Sequence, residues 1–216
     1  MSDRETVISH QIREAFADVE YPGDDFLQGS FEGCEPYEVV SPFRGRNDWR
    51  TVDAELLDAY SDALNFFSEG GFRFFLPAYL IADLRNQLQT ADPVFHLTHG
   101  FSDGSVEVPG KTRTFVRRFG KSVLVNPRRY GAMTFYDAAR YRLSVITKEE
   151  AQAIVAYLRY KRDADPYALD KETIDAALNL YWLDRAANAP SGESLEQHVK
   201  EEANFVAEIK GRGDTS

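Results

Sequence analysis

Residues 72–84 have the sequence FRFFLPAYLIADL, which is the most apolar stretch of a chain of 216 residues. Its apolar side chains surround a helical axis instead of forming one stripe, and this is typical of a helix buried on all sides. Proline is compatible with a helix only in the first turn or at a kink, and Gly70-Gly71 precede Pro77 as a helix break. We therefore expect the most buried helix of the chain within residues 72–88, beginning near Pro77.

Amphipathic helices are predicted on both sides of this central stretch. In the flanking segments, apolar residues recur three and four positions apart. Asp92-Pro93 is a helix start signal, and Gly100 is the matching stop signal. Thr147-Lys-Glu-Glu150 is a capping box, which marks another helix start. Together with a start at Asp170, these signals predict an all-α or mainly α fold of about seven helices. In chain order, the helical patterns lie at 7–19, 52–67, 72–88, 93–99, from 147, from 170, and at about 194–209.

We expect a single domain over residues 1–210, followed by a flexible tail at 211–216. Residues 22–50 contain three prolines and scattered apolar residues, which predicts an irregular arm over the core. The expected anchors of this arm are its aromatic residues Phe26, Phe31, Tyr37 and Trp49.

Residues 103–142 also lack helical periodicity and resemble an insertion. Within them, 112–119 and 122–125 are rich in β-favouring residues on either side of Gly120-Lys121. A small β-hairpin is therefore predicted near residues 112–126.

Composition excludes several classes of protein. The chain has 25 Lys and Arg against 35 Asp and Glu, a net charge of −10, which disfavours general nucleic-acid binding and anionic membranes. A single cysteine, Cys34, excludes a disulfide framework. The amino-terminal residues have no apolar signal core, and no stretch is as long and apolar as a membrane span. We expect a cytoplasmic protein without a cofactor and without membrane contact.

Four motifs resemble an uncharacterised family of bacterial proteins, a domain of unknown function. They are FRFFLPAYL at 72–80, ADPVFHLTHG at 91–100, TKEEAQAIVAYL at 147–158 and ALNLYWL at 177–183. The resemblance covers roughly residues 7–187, and its motifs consist mainly of core-type residues. It implies a shared fold, but no activity and no catalytic residue.

Two histidines of the second motif are candidate metal ligands. His96 and His99 are three positions apart on a short helix, so both imidazoles can leave the same face, and Asp92 is a candidate third ligand. A zinc signature with a third ligand at fixed spacing, such as H-E-x-x-H, does not occur. The alternative is structural: one histidine packs against the core, and the other forms a hydrogen bond or caps the helix end at Gly100.

Other catalytic patterns are weaker. The chain has no G-x-S-x-G elbow and no glycine-rich phosphate loop, and acidic neighbours disfavour a Cys34 thiolate. Asp83 lies in an apolar helix, where an unpaired charge is costly. We interpret Asp83 as the partner of an arginine, Arg73, Arg85 or another, with a general-base role as the alternative.

The charge distribution is the strongest functional signal. Residues 111–142 contain nine basic residues and one acid, Asp137, whereas the segments before and after are both net acidic. Arginine forms bidentate contacts with carboxylates and phosphates, and aromatic residues are interleaved with it, as in many recognition surfaces. The candidate binding residues are Arg113, Arg117, Arg118, Arg128, Arg129, Arg140 and Arg142. The alternative is internal pairing of this basic segment with the acidic residues of 18–62.

These patterns predict an interaction protein whose recognition surface is the basic segment 111–142, with an acidic protein or a second copy of the chain as its partner. We regard an enzymatic role as less favoured. The alternatives are a metal-dependent hydrolase built on His96, His99 and Asp92, and a nucleic-acid accessory protein that uses the same arginines.

Overall fold

The computed structural model describes residues 2–101, 135–164 and 170–189, the backbone of four short strands between 105 and 134, and positions 195, 200 and 204. The described part of the chain is mainly α-helical, as the periodicity predicted. Its helices are α1 (Asp3–Ala15), α2 (Glu35–Val40), α3 (Ala54–Ala59), α4 (Ala63–Phe66), α5 (Glu69–Leu84), α6 (Pro93–Thr98), α7 (Phe135–Arg142), α8 (Lys148–Ala164), α9 (Lys171–Ala177) and α10 (Leu183–Asn188).

The central helix α5 begins earlier than predicted. Ser68 caps it, because its Oγ accepts a hydrogen bond of 3.0 Å from the Gly71 amide. The helix then continues through Pro77 to Leu84, at the cost of one intrahelical hydrogen bond. The expected break at Gly70-Gly71 was wrong because packing requires the second glycine. A Cβ atom at Gly71 would lie 2.9 Å from the Leu27 carbonyl oxygen.

Burial of α5 is nearly complete, as its apolar composition predicted. Every residue from Glu69 to Leu84 is buried except Gly70, Arg73 and Asp83. The helix packs against α1, α3 and α6, and α8 packs against α1, α9 and α10. Burying a charge is costly unless it is paired, and the two charged residues among these three exceptions both have partners. Arg73 pairs with Glu150, and Asp83 pairs with Lys161.

The segments before α5 contain more helical structure, in shorter pieces, than the sequence predicted. The predicted helix 52–67 is divided into α3 and α4, since the chain turns at Tyr60–Asp62. The predicted irregular arm contains the helix α2. Its buried anchors are Leu27, Val40, Phe43 and Trp49, whereas Tyr37 is 54% exposed and was wrongly expected to be an anchor.

The strands pair differently from the predicted hairpin. Strand β1 (Ser105–Pro109) pairs antiparallel with β2 (Thr114–Arg118), and β3 (Leu124–Val125) pairs antiparallel with β4 (Met133–Thr134). The pairing of 112–119 with 122–125 was therefore wrong. The alternation of Val106, Glu107 and Val108 is typical of a strand. This strand, β1, precedes β2 in the chain and is the strand with which β2 pairs.

The second half of the described chain begins with the predicted capping box. The Thr147 amide donates to Glu150 Oε2 at 2.9 Å, and the Glu150 amide donates to Thr147 Oγ1 at 3.3 Å, so the predicted start of α8 is confirmed. After α9 the helix continues through one π-helical turn, Leu178–Trp182, into α10. Most of the predicted helix 194–209 and the tail 211–216 lies outside the described residues, although Leu195 is buried.

No helix in the described ranges has the length and apolar character needed to cross a membrane.

Candidate functional site

Helix α6 carries His96, and His99 follows its last residue as the C-cap. The helix is held at its start and near its end. Asp92 Oδ1 accepts a hydrogen bond of 3.0 Å from the Phe95 amide, which confirms the predicted helix start. The Trp182 indole donates to the Leu97 carbonyl at 2.8 Å and ties α6 to the π-helical turn. The Asp92 carboxylate therefore stabilises the amino terminus of α6.

Gly100 fixes the end of α6 against α7. Its φ of 92° lies in the left-handed region that side chains disfavour. A Cβ atom at this position would be 2.7 Å from the Phe135 carbonyl oxygen and 3.1 Å from Ala139 Cβ. Only glycine allows this close approach, which brings His96 and His99 next to the first residues of α7.

A pocket of about 280 Å³ lies where α6 and α7 meet the chain at Gly29-Ser30 and at Asn65–Phe67. Its remaining described lining residues come from the two helices and the turn that follows α7. They are Phe95, His96, His99, Phe135, Ala138, Ala139, Arg142 and Leu143. The histidine pair and Arg142, the last arginine of the basic segment, thus line one pocket, although the sequence predicted two separate sites.

The surroundings of both imidazoles lower their pKa values, which favours the neutral form. Burial, with smaller contributions from the nearby Arg142 charge and from His99, lowers the pKa of His96 to about 3. The pKa of His99 is also lowered, through burial and through Arg142. The His99 ring stacks on Phe95 with centroids 4.6 Å apart and contacts the edge of Phe135 at 5.1 Å. A neutral imidazole has one donor and one acceptor nitrogen, so both rings can hydrogen-bond a ligand.

Helix α7 positions two of the predicted binding arginines in different ways. The Arg142 guanidinium lies over the Phe72 ring, with its carbon 4.5 Å from the centroid, and the side chain lines the pocket. Arg140 is exposed and lies over Tyr136 at 5.4 Å. The side chains of Arg113, Arg117, Arg118, Arg128 and Arg129 lie outside the described residues.

The connection from α7 to α8 is held by α10. Arg185 Nε donates to the Ile146 carbonyl at 2.8 Å, and its Nη2 donates to the carbonyls of Ser144 and Ile146. This guanidinium satisfies carbonyl groups that end the turn after α7, and it therefore restrains the position from which Arg142 projects.

The structure brings the histidines together without completing the candidate metal site. Asp92 does not appear among the described residues that line the pocket. Within the described ranges, no group of three or more His, Cys, Asp or Glu side chains could hold a metal ion. The two imidazoles thus lie beside a cation, Arg142, which is an unfavourable neighbour for a metal ion.

Asp83, the other candidate acid, has the structural role that its apolar surroundings suggested. Its carboxylate accepts a hydrogen bond of 2.6 Å from the Tyr157 hydroxyl and lies 2.9 Å from Lys161 Nζ. Burial and the Asp83 charge raise the pKa of the Tyr157 hydroxyl well above its usual range. The interpretation as an ion pair is confirmed, although the partner is a lysine on α8 instead of an arginine.

A second, larger cleft of about 630 Å³ lies between α1 and α8. Its charged groups include a buried ion pair, since Arg73 Nε lies 3.0 Å from both oxygens of Glu150 and Nη2 lies 2.7 Å from Oε1. Glu14, Asp18 and Glu149 also line this cleft. The smaller pocket at α6 and α7 contains the candidate histidines and Arg142, and it is therefore the site that the sequence predictions point to.

Sequence reasoning missed the part of the pocket that precedes α5. Ser30, Asn65 and Phe66 belong to no motif, and each is an ordinary loop or short-helix residue in the sequence. These residues come together only in the folded chain, because a β-bridge between Gln28 and Phe67 pairs the segment at 28–30 with the segment at 65–67.

The model of a family of unknown function (DUF6714) matches residues 4–186. Searches of curated proteins and of solved structures returned no match.

Proposed function

We propose that this chain, which belongs to the DUF6714 family of unknown function, is a binding protein that recognises an acidic protein partner through its basic segment 111–142. One observation carries the proposal. The helix that ends this segment, α7, exposes Arg140 to solvent. An exposed arginine suits carboxylate recognition.

Internal charge matching would instead pair the basic segment with acids of residues 18–62. Three of these acids have nearby partners. The Asp24 carboxylate accepts hydrogen bonds from the Tyr21 hydroxyl and, at 2.7 Å, from the Gly45 amide. The Asp48 carboxylate lies 3.3 Å from Arg50.

The third acid, Asp58, serves the loop before α6. Its Oδ1 accepts hydrogen bonds from the backbone amides of Gln89, Thr90 and Ala91 at 2.8, 2.7 and 3.0 Å. These bonds lower the pKa of the Asp58 carboxyl. Three of the twelve acids of residues 18–62 are thus held by local groups, and a quadruple arginine variant tests whether the others pair with the arginines.

A quadruple variant tests the proposal: Arg117, Arg118, Arg128 and Arg129, each changed to Gln. The matched control changes four exposed bases outside the segment to Gln, namely Arg85, Lys148, Arg159 and Lys171. Both variants lose four positive charges, so they separate the location of the charges from their number.

The probes are a fluorescent Asp/Glu-rich peptide and a single-stranded oligonucleotide of equal charge, titrated across a salt series. We expect the peptide to bind the wild type and the control alike, and at least about tenfold more weakly to the quadruple variant, because contacts with charged groups dominate such interfaces. Sedimentation of the free protein reports whether a second copy of the chain takes the partner's place.

Two results would overturn the proposal. Equal peptide binding by the quadruple variant, together with a lower melting temperature, would show that the arginines pair with internal acids. Stronger binding of the oligonucleotide than of the peptide would favour the nucleic-acid alternative, whose affinity falls steeply with salt.

A further inference from the structure

Another pocket, the arginine pocket, has a volume of about 360 Å³ and lies where the ends of α1 and α5 meet the chain at 49–54. Arg13 belongs to the last turn of α1, and Arg85 is the residue that follows α5. Arg50 belongs to a 3₁₀ turn, Trp49–Thr51. All three arginines line the pocket, and Asp53 is the one acid of the described lining. These side chains therefore carry an excess of two positive charges.

This positive charge lies in an acidic part of the chain. Residues 1–110 contain seven basic residues and twenty acidic ones. Three of these seven basic residues nevertheless line the arginine pocket, together with a single described acid. Like charges that lie close together repel each other, and a bound anion removes this repulsion.

Two of the three guanidinium groups have no partner among the residues that the structure describes. Neither Arg13 nor Arg85 forms a side-chain hydrogen bond or an ion pair within the described ranges, although acids outnumber bases in the chain. Arg13 is half-buried and Arg85 is exposed. A guanidinium has five N–H donors, so both side chains can donate to a ligand in the pocket.

The third guanidinium, that of Arg50, is held in place by its neighbours. Its Nη2 donates to the Ala17 carbonyl at 2.8 Å, and its Nη1 donates to Asp48 Oδ1 at 3.3 Å. Its carbon also lies 4.7 Å from the centroid of the Trp49 ring. Within the described residues, these hydrogen bonds use two of its five N–H groups. A side chain that is already fixed loses little conformational freedom when it binds an anion, which favours binding.

The helix ends beside the arginine pocket oppose an anion only weakly. The last carbonyl groups of a helix carry partial negative charge. After α1, the Phe16 carbonyl accepts a hydrogen bond of 3.3 Å from the Trp49 indole. After α5, the Ala82 carbonyl accepts a hydrogen bond of 3.0 Å from the Gln87 amide. Because these carbonyl groups are engaged, the arginines determine the sign of the charge in the pocket.

We propose that the arginine pocket binds the phosphate group of a small molecule, which Arg13, Arg50 and Arg85 hold by charge-assisted hydrogen bonds. The planar guanidinium presents paired N–H donors that match phosphate oxygens, and an excess of two positive charges matches a dianion. The ligand is either inorganic phosphate or a small phosphomonoester, since both present the same group. Both fit, because about 360 Å³ is the volume of about twelve water molecules in the liquid. The proposal goes beyond partner recognition by the basic segment 111–142 and does not depend on it.

Calorimetric titration of the full chain with inorganic phosphate and with glycerol 3-phosphate tests the proposal. We expect at least one of the two to bind at least about tenfold more tightly than acetate, a singly charged anion. Arg13→Gln and Arg85→Gln should each weaken this binding at least about tenfold, because hydrogen bonds between charged groups are strong. Arg159→Gln removes an exposed arginine outside the described lining and should leave the affinity unchanged.

Asp53→Asn keeps the test valid if an arginine variant does not fold. The Asp53 side chain forms no capping hydrogen bond at the start of α3, so the change removes a charge without removing a cap. Because the variant takes the acid out of the described lining, it should bind phosphate about two- to fivefold more tightly.

The pH dependence of binding identifies the dianion. The second proton of a phosphate group dissociates near pH 6, so the affinity should rise from pH 5 to pH 8. The charged groups of the described lining come from α1, the 3₁₀ turn, the loop before α3 and the end of α5, and no histidine is among them. Sulfate is a dianion over this whole range, and its affinity should therefore stay constant.

The two tryptophans of the chain report where phosphate binds. Trp49 lines the arginine pocket, whereas the Trp182 indole donates to the Leu97 carbonyl of α6. Phosphate should shift the indole NMR signal of Trp49 and leave that of Trp182 unchanged.

The variants of the basic segment separate this proposal from the proposed function. The quadruple variant retains all three pocket arginines and should bind phosphate like the wild type, whatever its affinity for the acidic peptide. Its four-charge control includes Arg85→Gln, so this control should bind phosphate more weakly while its affinity for the peptide is unchanged.

The two sources of the phosphate group are distinguished by their affinities. Glycerol 3-phosphate that binds more tightly than inorganic phosphate would assign the site to phosphomonoesters, and the reverse order would assign it to the free ion. Neither compound binding better than acetate, equal affinities in the Arg13, Arg85 and Arg159 variants, or a Trp182 shift as large as that of Trp49 would refute the proposal.

Discussion

Replacement of Glu150 by alanine should destabilise the protein more than any surface charge change. The Glu150 side chain is 1% exposed and accepts three hydrogen bonds from Arg73, whose side chain is 21% exposed. The same carboxylate also accepts the Thr147 amide at the start of α8. Glu150→Ala therefore leaves a partly buried guanidinium without its carboxylate and removes half of the capping box.

The magnitude follows from these two losses. Breaking a buried ion pair on one side costs about 3–5 kcal/mol, and loss of a helix cap costs about 1 kcal/mol. Arg73 borders the cleft between α1 and α8, where water can reach it. We therefore expect a total near the lower end of the sum, about 4 kcal/mol, out of a typical total stability of about 5–15 kcal/mol.

The origin of this loss is separable by further variants. Burial raises the pKa of the Glu150 carboxyl, and the opposing effect of Arg73 does not fully offset it, so burying the ionised carboxylate costs more than its pairing with Arg73 returns. Glu150→Gln retains a side chain suited to the capping box and should lose less than Glu150→Ala. The double variant Arg73→Met with Glu150→Leu should recover most of the loss, because no unpaired charge remains.

Urea unfolding, followed by tryptophan fluorescence and circular dichroism, measures these differences in the free energy of unfolding. The matched control is Asp163→Ala, which breaks exposed pairs with Arg4 and Arg162; the side chains of Arg4, Arg162 and Asp163 are 54%, 31% and 40% exposed. This control should leave the free energy of unfolding nearly unchanged, because exposed ion pairs contribute little. A Glu150→Ala variant as stable as the control would show that the pair is not buried and would refute the reasoning.

Two further changes test the packing of α5 and of α6 against α7. Leu80→Ala, at a fully buried position of α5, should lower the free energy of unfolding by about 2–5 kcal/mol, and an unchanged melting temperature would contradict the central position of this helix. Gly100→Ala should lower the free energy of unfolding more than Gly33→Ala does. Both positions have a positive φ, but only at Gly100 does the added Cβ collide with the Phe135 carbonyl. Equal losses of about 1–2 kcal/mol would indicate backbone strain alone.

Local interactions were readable from the sequence. Three of the signals depend on residues within one or two helical turns of each other. They are the capping box at Thr147, the helix start at Asp92-Pro93 and the apolar side chains on all sides of the helix at 72–84. Such patterns report backbone capping and burial directly. The mainly helical class and the most buried helix were therefore predictable.

Other features depended on partners far away in the chain. Gly71 belongs inside a helix because the Leu27 carbonyl approaches it, and Pro77 is tolerated because surrounding packing offsets a lost hydrogen bond. Local propensity marks both residues as helix breakers, so the predicted start of α5 was late. Tertiary packing commonly overrides propensity in this way.

By itself, the sequence determined that this protein is mainly helical and that its most buried helix lies at residues 72–84. It also determined that basic residues outnumber acidic ones in the segment 111–142, whereas the segments before and after it are net acidic. Only the tertiary structure decided that His96 and His99 face Arg142 in a pocket that Ser30 and Asn65 complete. These residues are separated by up to 112 positions, from Ser30 to Arg142. Their proximity depends on how α6 and α7 pack against each other, and the spacing of the residues along the chain does not predict it.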